Sequence, residues 1–275
     1  MDRGRRMRNV VAVLLQRGPI VVTLAAVILF WEFSIYAFDV PDFVVPAPAN
    51  VWRAIIKNWP NLVTHSQVTL AETLAGFGLG LLIGIPMAVC IVYSRVVEQI
   101  LYPLLVASQA VPKVALAPVL LVALGYGVLP KIVVAFLIAF FPIVVNTVTG
   151  LTSVDRETLR LLRSMGASNT SVFTKVRFPS AVPSMIAGFK VAIALAVVGA
   201  VVGEFVGGRS GLGYYMLVAT GNFDTALVFA CVIILTVLGV ALFYSISLLE
   251  VALGRWNRAA TNSREDAAAS RSWSM

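Results

Sequence analysis

Histidine, cysteine and charge are scarce in this 275-residue chain, and each shortage excludes a class of function. The single histidine, His65, rules out a His-cluster metal site and reads as a surface residue. The two cysteines, Cys90 and Cys231, lie inside apolar runs without neighbouring ligand types. They read as small buried hydrophobes rather than as a disulfide framework or a metal site. Charged residues make up 12% of the chain, against about a quarter in a soluble domain. No G-x-x-x-x-G-K-[ST] phosphate loop occurs, so the chain does not carry a P-loop ATPase of its own. Clustered carboxylates or a nucleophile constellation are also missing, which argues against a membrane-embedded enzyme.

What is present is hydrophobicity: 59% of residues are apolar and mean hydropathy is +0.92. A water-soluble protein of this size could not hide so much apolar surface, so lipid is the expected solvent. Six segments are long enough to cross about 30 Å of hydrocarbon as helices. They are Pro19–Phe38, Val68–Tyr93, Ile100–Tyr126, Ile132–Gly150, Pro183–Phe205 and Thr225–Leu253. Helices are required because lipid offers no partners to backbone N–H and C=O groups. No small-residue cleavage site follows the first segment, which reads as a retained span rather than a signal peptide.

The net charge of +8 does not point to nucleic acid, because the basic residues gather at the ends of apolar segments. With a cytoplasmic N-terminus and alternating spans, the inner side receives Arg3, Arg5, Arg6, Arg8, Arg17, Arg95, Arg156, Arg160, Arg163, Lys175, Arg177, Lys190, Arg255, Arg258, Arg264 and Arg271. The outer side receives only Arg53, Lys57, Lys131 and Arg209. That asymmetry follows the positive-inside rule and places both termini in the cytoplasm. Residues 1–17 form a basic cytoplasmic tail, 18–255 the transmembrane domain, and 256–275 a tail whose Ala, Ser and charge predict disorder. Outside, Pro41, Pro46 and Pro48 precede a short interfacial helix over Ala49–Asn58, with Trp52 and Trp59 suited to an aromatic belt.

Within the spans, Gly76, Gly80 and Gly84 recur every fourth residue and put a smooth face on the second helix. Gly199 and Gly203, with Gly188 and a run of alanines, do the same on the fifth. Close helix packing is the simple reading; a sliding or subunit-contact face is the sharper one. The third span holds Pro103, Pro112 and Pro118, which break the helical ladder, and an intramembrane Lys113. Broken backbone at membrane depth belongs next to protein or a water-filled cavity. An ionisable residue there suggests a substrate path, for which Ser108, Gln109, Lys113, Asn146 and Thr147 are the polar candidates. Glu32 and Glu72 are expected to face headgroups or water, and Glu204 to make a structural ion pair or helix-end contact.

Between the fourth and fifth spans, residues 152–182 turn polar, basic and Pro-punctuated. Asp155 is positioned to cap a first helix, with Leu159, Leu162 and Met165 near one side and arginines on another. Gly166 interrupts it where the backbone must turn or a partner must approach. A second amphipathic piece carries Val172, Phe173 and Val176, with Pro179 ending it and Pro183 opening the next span. Two short helices meeting at a glycine make a docking surface for a soluble partner.

Here the sequence resembles the permease subunits of ABC importers. The stretch from Gly166 through Ala167, Ser168, Phe173 and Val176 to Pro179 resembles the later part of their cytoplasmic EAA loop. The Glu-Ala-Ala positions fall on Arg160, Leu161 and Leu162, a departure that removes the glutamate such loops use for ion pairing. In order along the chain, "VPAPANVW", "LAGFGLGLLIGIPMA", "VPKVALAPVLLV", "FFPIVVNTVTGL" and "VVGEFVGGRSGLGYYM" resemble the nitrate, sulfonate and taurine branch. The resemblance implies an all-α bundle of six transmembrane helices of the MetI-like type, with a coupling loop at Gly166. It implies a second permease copy, two ATP-binding subunits and an extracytoplasmic solute-binding protein. No cofactor is then expected on this chain, because ATP and Mg²⁺ serve the separate ATPase. The implied cargo is a small solute, such as a sulfonate, nitrate or vitamin precursor. A partner-independent secondary transporter or channel is the alternative. It would require intramembrane acidic residues for ion coupling or a polar pore lining, and would leave the cytoplasmic loop unexplained.

Overall fold

The computed structural model describes residues 22–23 and 26–253. Both tails and the beginning of the first expected span lie outside the described residues. Every regular element described is helical. The chain divides into two compact units. The first takes the described residues up to Leu62 together with Met216–Ile233; the second takes Val63–Tyr215 and the described residues from Ile234 onward.

Among the described residues, four helices are long and apolar enough to cross a bilayer: Trp59–Tyr93, Val128–Thr152, the run Asn169–Gly207 and Thr225–Val251. In chain order the elements are α1 (Ala26–Ala37), α2 (Pro48–Lys57), α3 (Trp59–Tyr93), α4 (Arg95–Ala107), a 3₁₀ turn (Lys113–Leu116) and α5 (Ala117–Leu124). They continue with α6 (Val128–Thr152), α7 (Arg156–Ser164), α8 (Asn169–Val172), a π turn (Phe173–Arg177), α9 (Phe178–Gly207), α10 (Leu212–Gly221) and α11 (Thr225–Leu253). Helix α2 covers nearly the expected stretch Ala49–Asn58 and keeps Trp52 exposed.

The third expected span is two helices, not one. Helix α4 passes through Pro103, ends at Ala107, and the chain restarts only at Lys113. Pro103 is therefore no breaker. Pro112 is the N-cap of the 3₁₀ turn, and Pro118 occupies the first turn of α5, where its missing N–H has no intrahelical role.

Pro179 does not end a helix, and Pro183 lies well inside α9. The chain instead widens into a π turn just before them, with the Phe178 N–H bonded to the Phe173 carbonyl five residues back. Such a turn shifts the hydrogen-bond ladder by one residue and lets the helix run on from Asn169 to Gly207.

The core of the second unit is α6 gripped by α3 and α9. A methyl group added at Gly76 would lie 2.5 Å from the Ala135 Cβ, and one at Gly80 2.8 Å from Ile143 Cδ1. At Gly84 it would meet Ile143 Cγ2 at 3.0 Å. From the other side, Gly199 and Gly203 bring α9 so close that added methyls would sit 2.6 Å from Ala135 Cα and 2.7 Å from Lys131 Cα. Small residues allow this approach, and the gain is dispersion contact, since lipid tails are as apolar as the side chains they replace. Phe77, Ala139, Ile143, Ala192, Ile193 and Ala196 are buried together at the centre. Cys231 is buried, whereas Cys90 is exposed on α3; a helix that packs one face leaves small apolar residues on the other for lipid.

Candidate functional site

Three places in the second unit bring chemistry-bearing residues together. The first is the elbow between α7 and α8. Asp155 opens α7, but its side chain makes no capping hydrogen bond. The other end is tightly built: Gly166 N–H donates to the Arg163 carbonyl and Ala167 N–H to the Leu162 carbonyl, each at 3.0 Å. This is the paired cap that closes a helix through a left-handed residue, and Gly166 supplies it with φ +82°. Ser168 then caps α8, accepting from the Ser171 N–H at 3.2 Å. Within this chain the turn accounts for the glycine, since an added methyl would meet nothing within 4 Å.

Phe173 anchors the elbow. Its ring packs on Tyr93 of α3 and Phe178 of α9, both at 5.9 Å between centroids. Arg177 lies over the Tyr93 ring at 5.6 Å. Leu159 and Val172 are buried, Leu162 and Val176 half-buried, and Pro179 sits in the first turn of α9. The exposed apolar pair is therefore not the expected Leu159, Leu162 and Met165 set. It is Leu161 and Met165, 61% and 75% exposed and one helical turn apart. Arg156, Arg160 and Arg163 stand exposed around them.

The second place is a cavity of about 340 Å³ beside the α4–α5 break, lined by Met87, Ser108, Lys113, Phe140 and Phe141 among others. Lys113 donates to the Gln109 side-chain carbonyl and lies 5.7 Å from the centre of the Phe141 ring. Ser108 caps α4 and donates to the Leu105 carbonyl at 2.7 Å. Asn146 and Thr147 do not line this cavity. Asn146 donates to the Pro142 carbonyl at 2.9 Å, and Thr147, fully buried, to the Ile143 carbonyl at 2.6 Å. Both are satisfied on their own helix, and Asn146 packs against Gly188. Thr147 is packed inside the bundle here, its hydroxyl turned onto its own helix.

The third place is a buried polar latch that composition hides. Helix α3 begins well before Val68, so His65, Thr69 and Glu72 ride on its first turns rather than in a loop. The Glu72 carboxylate accepts from Lys131 Nζ at 2.6 Å, and the two side chains are 1% and 4% exposed. Neither reaches headgroups or water. Glu204, fully buried, accepts from the Thr69 hydroxyl and the Gly213 N–H, both at 2.6 Å. The next amides of the α9–α10 loop are also taken: Leu212 N–H donates to Thr69 Oγ1 at 2.8 Å and Gly211 N–H to His65 Nδ1 at 3.1 Å. His65 stacks on Tyr215 at 4.7 Å, so it is a structural acceptor rather than a surface residue. The legible signal is Glu204 standing just before "GGRSGLGYY"; the partners on α3 and α6 are distant in sequence.

Long apolar helices, a two-helix elbow between two of them and glycine-packed faces define an all-helical membrane protein. Residues 80–255 match the family described as the binding-protein-dependent transport system inner membrane component. The chain is 38% identical over 231 residues to the formylaminopyrimidine transport permease protein ThiX of Halalkalibacterium halodurans, an alignment covering 84% of this chain and 92% of that one. It is 38% identical over 239 residues to the riboflavin transport system permease protein RibX of Chloroflexus aurantiacus, covering 86% and 88%. Among solved structures, a chain of the inward-facing MetNI methionine ABC transporter superposes with a TM-score of 0.60 at 19% identity, covering 68% of this chain and 93% of that chain. That likeness shows the fold. The chain belongs to the binding-protein-dependent ABC permease family. It is a multi-pass inner-membrane permease subunit of a small-solute importer, and the ATPase of such a system is a separate chain. Family membership sets aside the partner-independent transporter or channel.

Proposed function

We infer that the chain is one of a pair of six-span, MetI-like permeases, coupled to ATP hydrolysis through the elbow at Gly166. In this reading residues 18–255 form the permease domain between two cytoplasmic tails, 1–17 and 256–275, with both termini inside. Two ATP-binding subunits dock beneath, using ATP and Mg²⁺, while this chain carries no cofactor. A solute-binding protein delivers cargo from the extracytoplasmic side, and the partners include lipid but no nucleic acid. The observation that carries the reading is the exposure of Leu161 and Met165 at the elbow, where Leu159 is buried and Leu162 half-buried. An apolar pair held on a tightly capped elbow offers a partner contact area at little ordering cost. The surrounding arginines favour an acidic rim on that partner. Nucleotide-driven closure then moves the elbow, and the bundle switches between two packings as a two-state element.

The path is proposed to pass the cavity at Ser108 and Lys113, with Gln109 holding the lysine and Asn146 at the α6–α9 contact. The aromatic lining by Phe140 and Phe141, together with relatives named for a pyrimidine and a flavin, favours a flat heterocyclic vitamin or precursor over an inorganic anion. Screening the partner binding protein against pyrimidines, flavins and sulfonates by thermal shift tests the cargo. The coupling claim is tested by Leu161→Asp with Met165→Asp in the assembled transporter. Uptake and stimulated ATPase activity are expected to fall at least about tenfold, the equivalent of ~1.4 kcal/mol of docking, with the permease still folded. Undiminished coupling would refute the elbow's role.

A further inference from the structure

The latch at the outer ends of α3, α6 and α9 holds two buried acids and one buried base. Glu72 and Glu204 are 1% and 0% exposed, and Lys131 is 3% exposed. Lys131 Nζ donates to Glu72 Oε1 at 2.6 Å and to the Ser210 carbonyl at 3.2 Å. Both Glu204 oxygens are already acceptors, Oε1 from Thr69 and Oε2 from Gly213. The other titratable or charged groups of these elements do not balance the second acid. His65 on α3 accepts from the Gly211 N–H and so presents a bare ring nitrogen to the loop. Tyr214 and Tyr215 on α10 lie against His65, and Arg209 on the loop is exposed.

With both glutamates ionised, the cluster would therefore carry one uncompensated buried negative charge, which is costly in a site removed from water. The atoms locate the discrepancy. Glu72 Oε2 is sealed from solvent and meets no donor. The other buried acid of the cluster, Glu204, is its neighbour there and offers only acceptor oxygens, already bonded to Thr69 and Gly213. Two carboxylates sharing one water-free cluster with a single base repel, and they do not both ionise. We propose that Glu72 and Glu204 share one proton, making a neutral chain of ammonium, carboxyl, proton and carboxyl that fastens the α9–α10 loop to the bundle. The acid O–H of one carboxyl donates to the other, and the remaining negative charge answers Lys131. Folding then takes up a proton from solvent at neutral pH, so stability falls as pH rises.

The test is infrared difference spectroscopy of the purified full-length chain against Glu72→Gln and Glu204→Gln, with thermal melts across pH. The wild type should show the C=O stretch of a buried carboxylic acid, shifted in D₂O. Either single substitution should abolish it, because the new amide N–H replaces the shared proton and the surviving carboxylate stays ionised. Glu72→Gln should melt within about 3 °C of wild type and lose the decline of stability with rising pH. The double variant, which strands Lys131 without a counter-charge, should melt about 10 °C lower. A wild type without the acid band, a band that survives in either single variant, or a Glu72→Gln protein that melts like the double variant would each overturn the proposal.

Discussion

The elbow and the latch are both built on a glycine with positive φ, and they use it for opposite ends. At Gly166 the φ is +82° and an added methyl finds open space; at Gly211 the φ is +104° and the methyl would lie 2.0 Å from Glu204 Oε1. Around Gly166 an apolar pair is left outside, with its helix closed by backbone hydrogen bonds. At Gly211, Leu212 and Gly213 three successive amides are tied to side chains, those of half-buried His65 and buried Thr69 and Glu204. One region presents a surface, and the other removes groups from solvent to hold a loop. The same residue type therefore marks a turn in the first and a closed polar core in the second.

The largest expected effect lies on the latch side of that comparison. Gly211→Ala should cost more than about 4 kcal/mol, because left-handed strain adds to a clash with a buried carboxylate. Detergent-solubilised protein should accumulate as aggregate, or melt far below wild type. Lys131→Met follows, at about 3–5 kcal/mol, because it leaves a buried carboxylate without its partner; a melt unchanged from wild type would mean the ion pair is idle. Gly166→Ala comes last in stability, at about 1–2 kcal/mol, since only backbone strain opposes it. If Gly166→Ala proved as damaging as Gly211→Ala, the distinction between the two glycines would fail.

Much of the architecture is legible from residue spacing. Gly76, Gly80 and Gly84 recur at the helical interval, and their side-chain-free face meets α6. The start of α11 at Thr225 coincides with the expected apolar boundary. Gly166 is legible as a turn because the apolar period stops there. What periodicity misses has physical causes. Pro179 predicts a helix end, but a π turn reroutes the ladder one residue earlier. Lys131 and Glu72 read as outer-surface charges because each sits near the end of an apolar run. Their pairing across 59 positions is a tertiary fact. The exposed apolar position shifts from Leu162 to Leu161 because burial of Leu159 orients α7, and a short helix with leucines on several faces leaves that choice to its neighbours. Only the break at Pro112, among three prolines of the third span, interrupts the helix, since the first turn and a lipid-compatible interior tolerate the others.

The most direct test of the account is a cross-link at the elbow. Met165→Cys, in a chain whose exposed Cys90 is replaced by alanine and whose buried Cys231 is left in place, should join to a cysteine on the ATP-binding subunit in the assembled, transporting complex. Its yield should change when nucleotide closes that subunit. A Met165→Cys thiol that reacts freely with small reagents, yields no cross-link to the ATP-binding subunit from any facing position, and leaves uptake intact would contradict it.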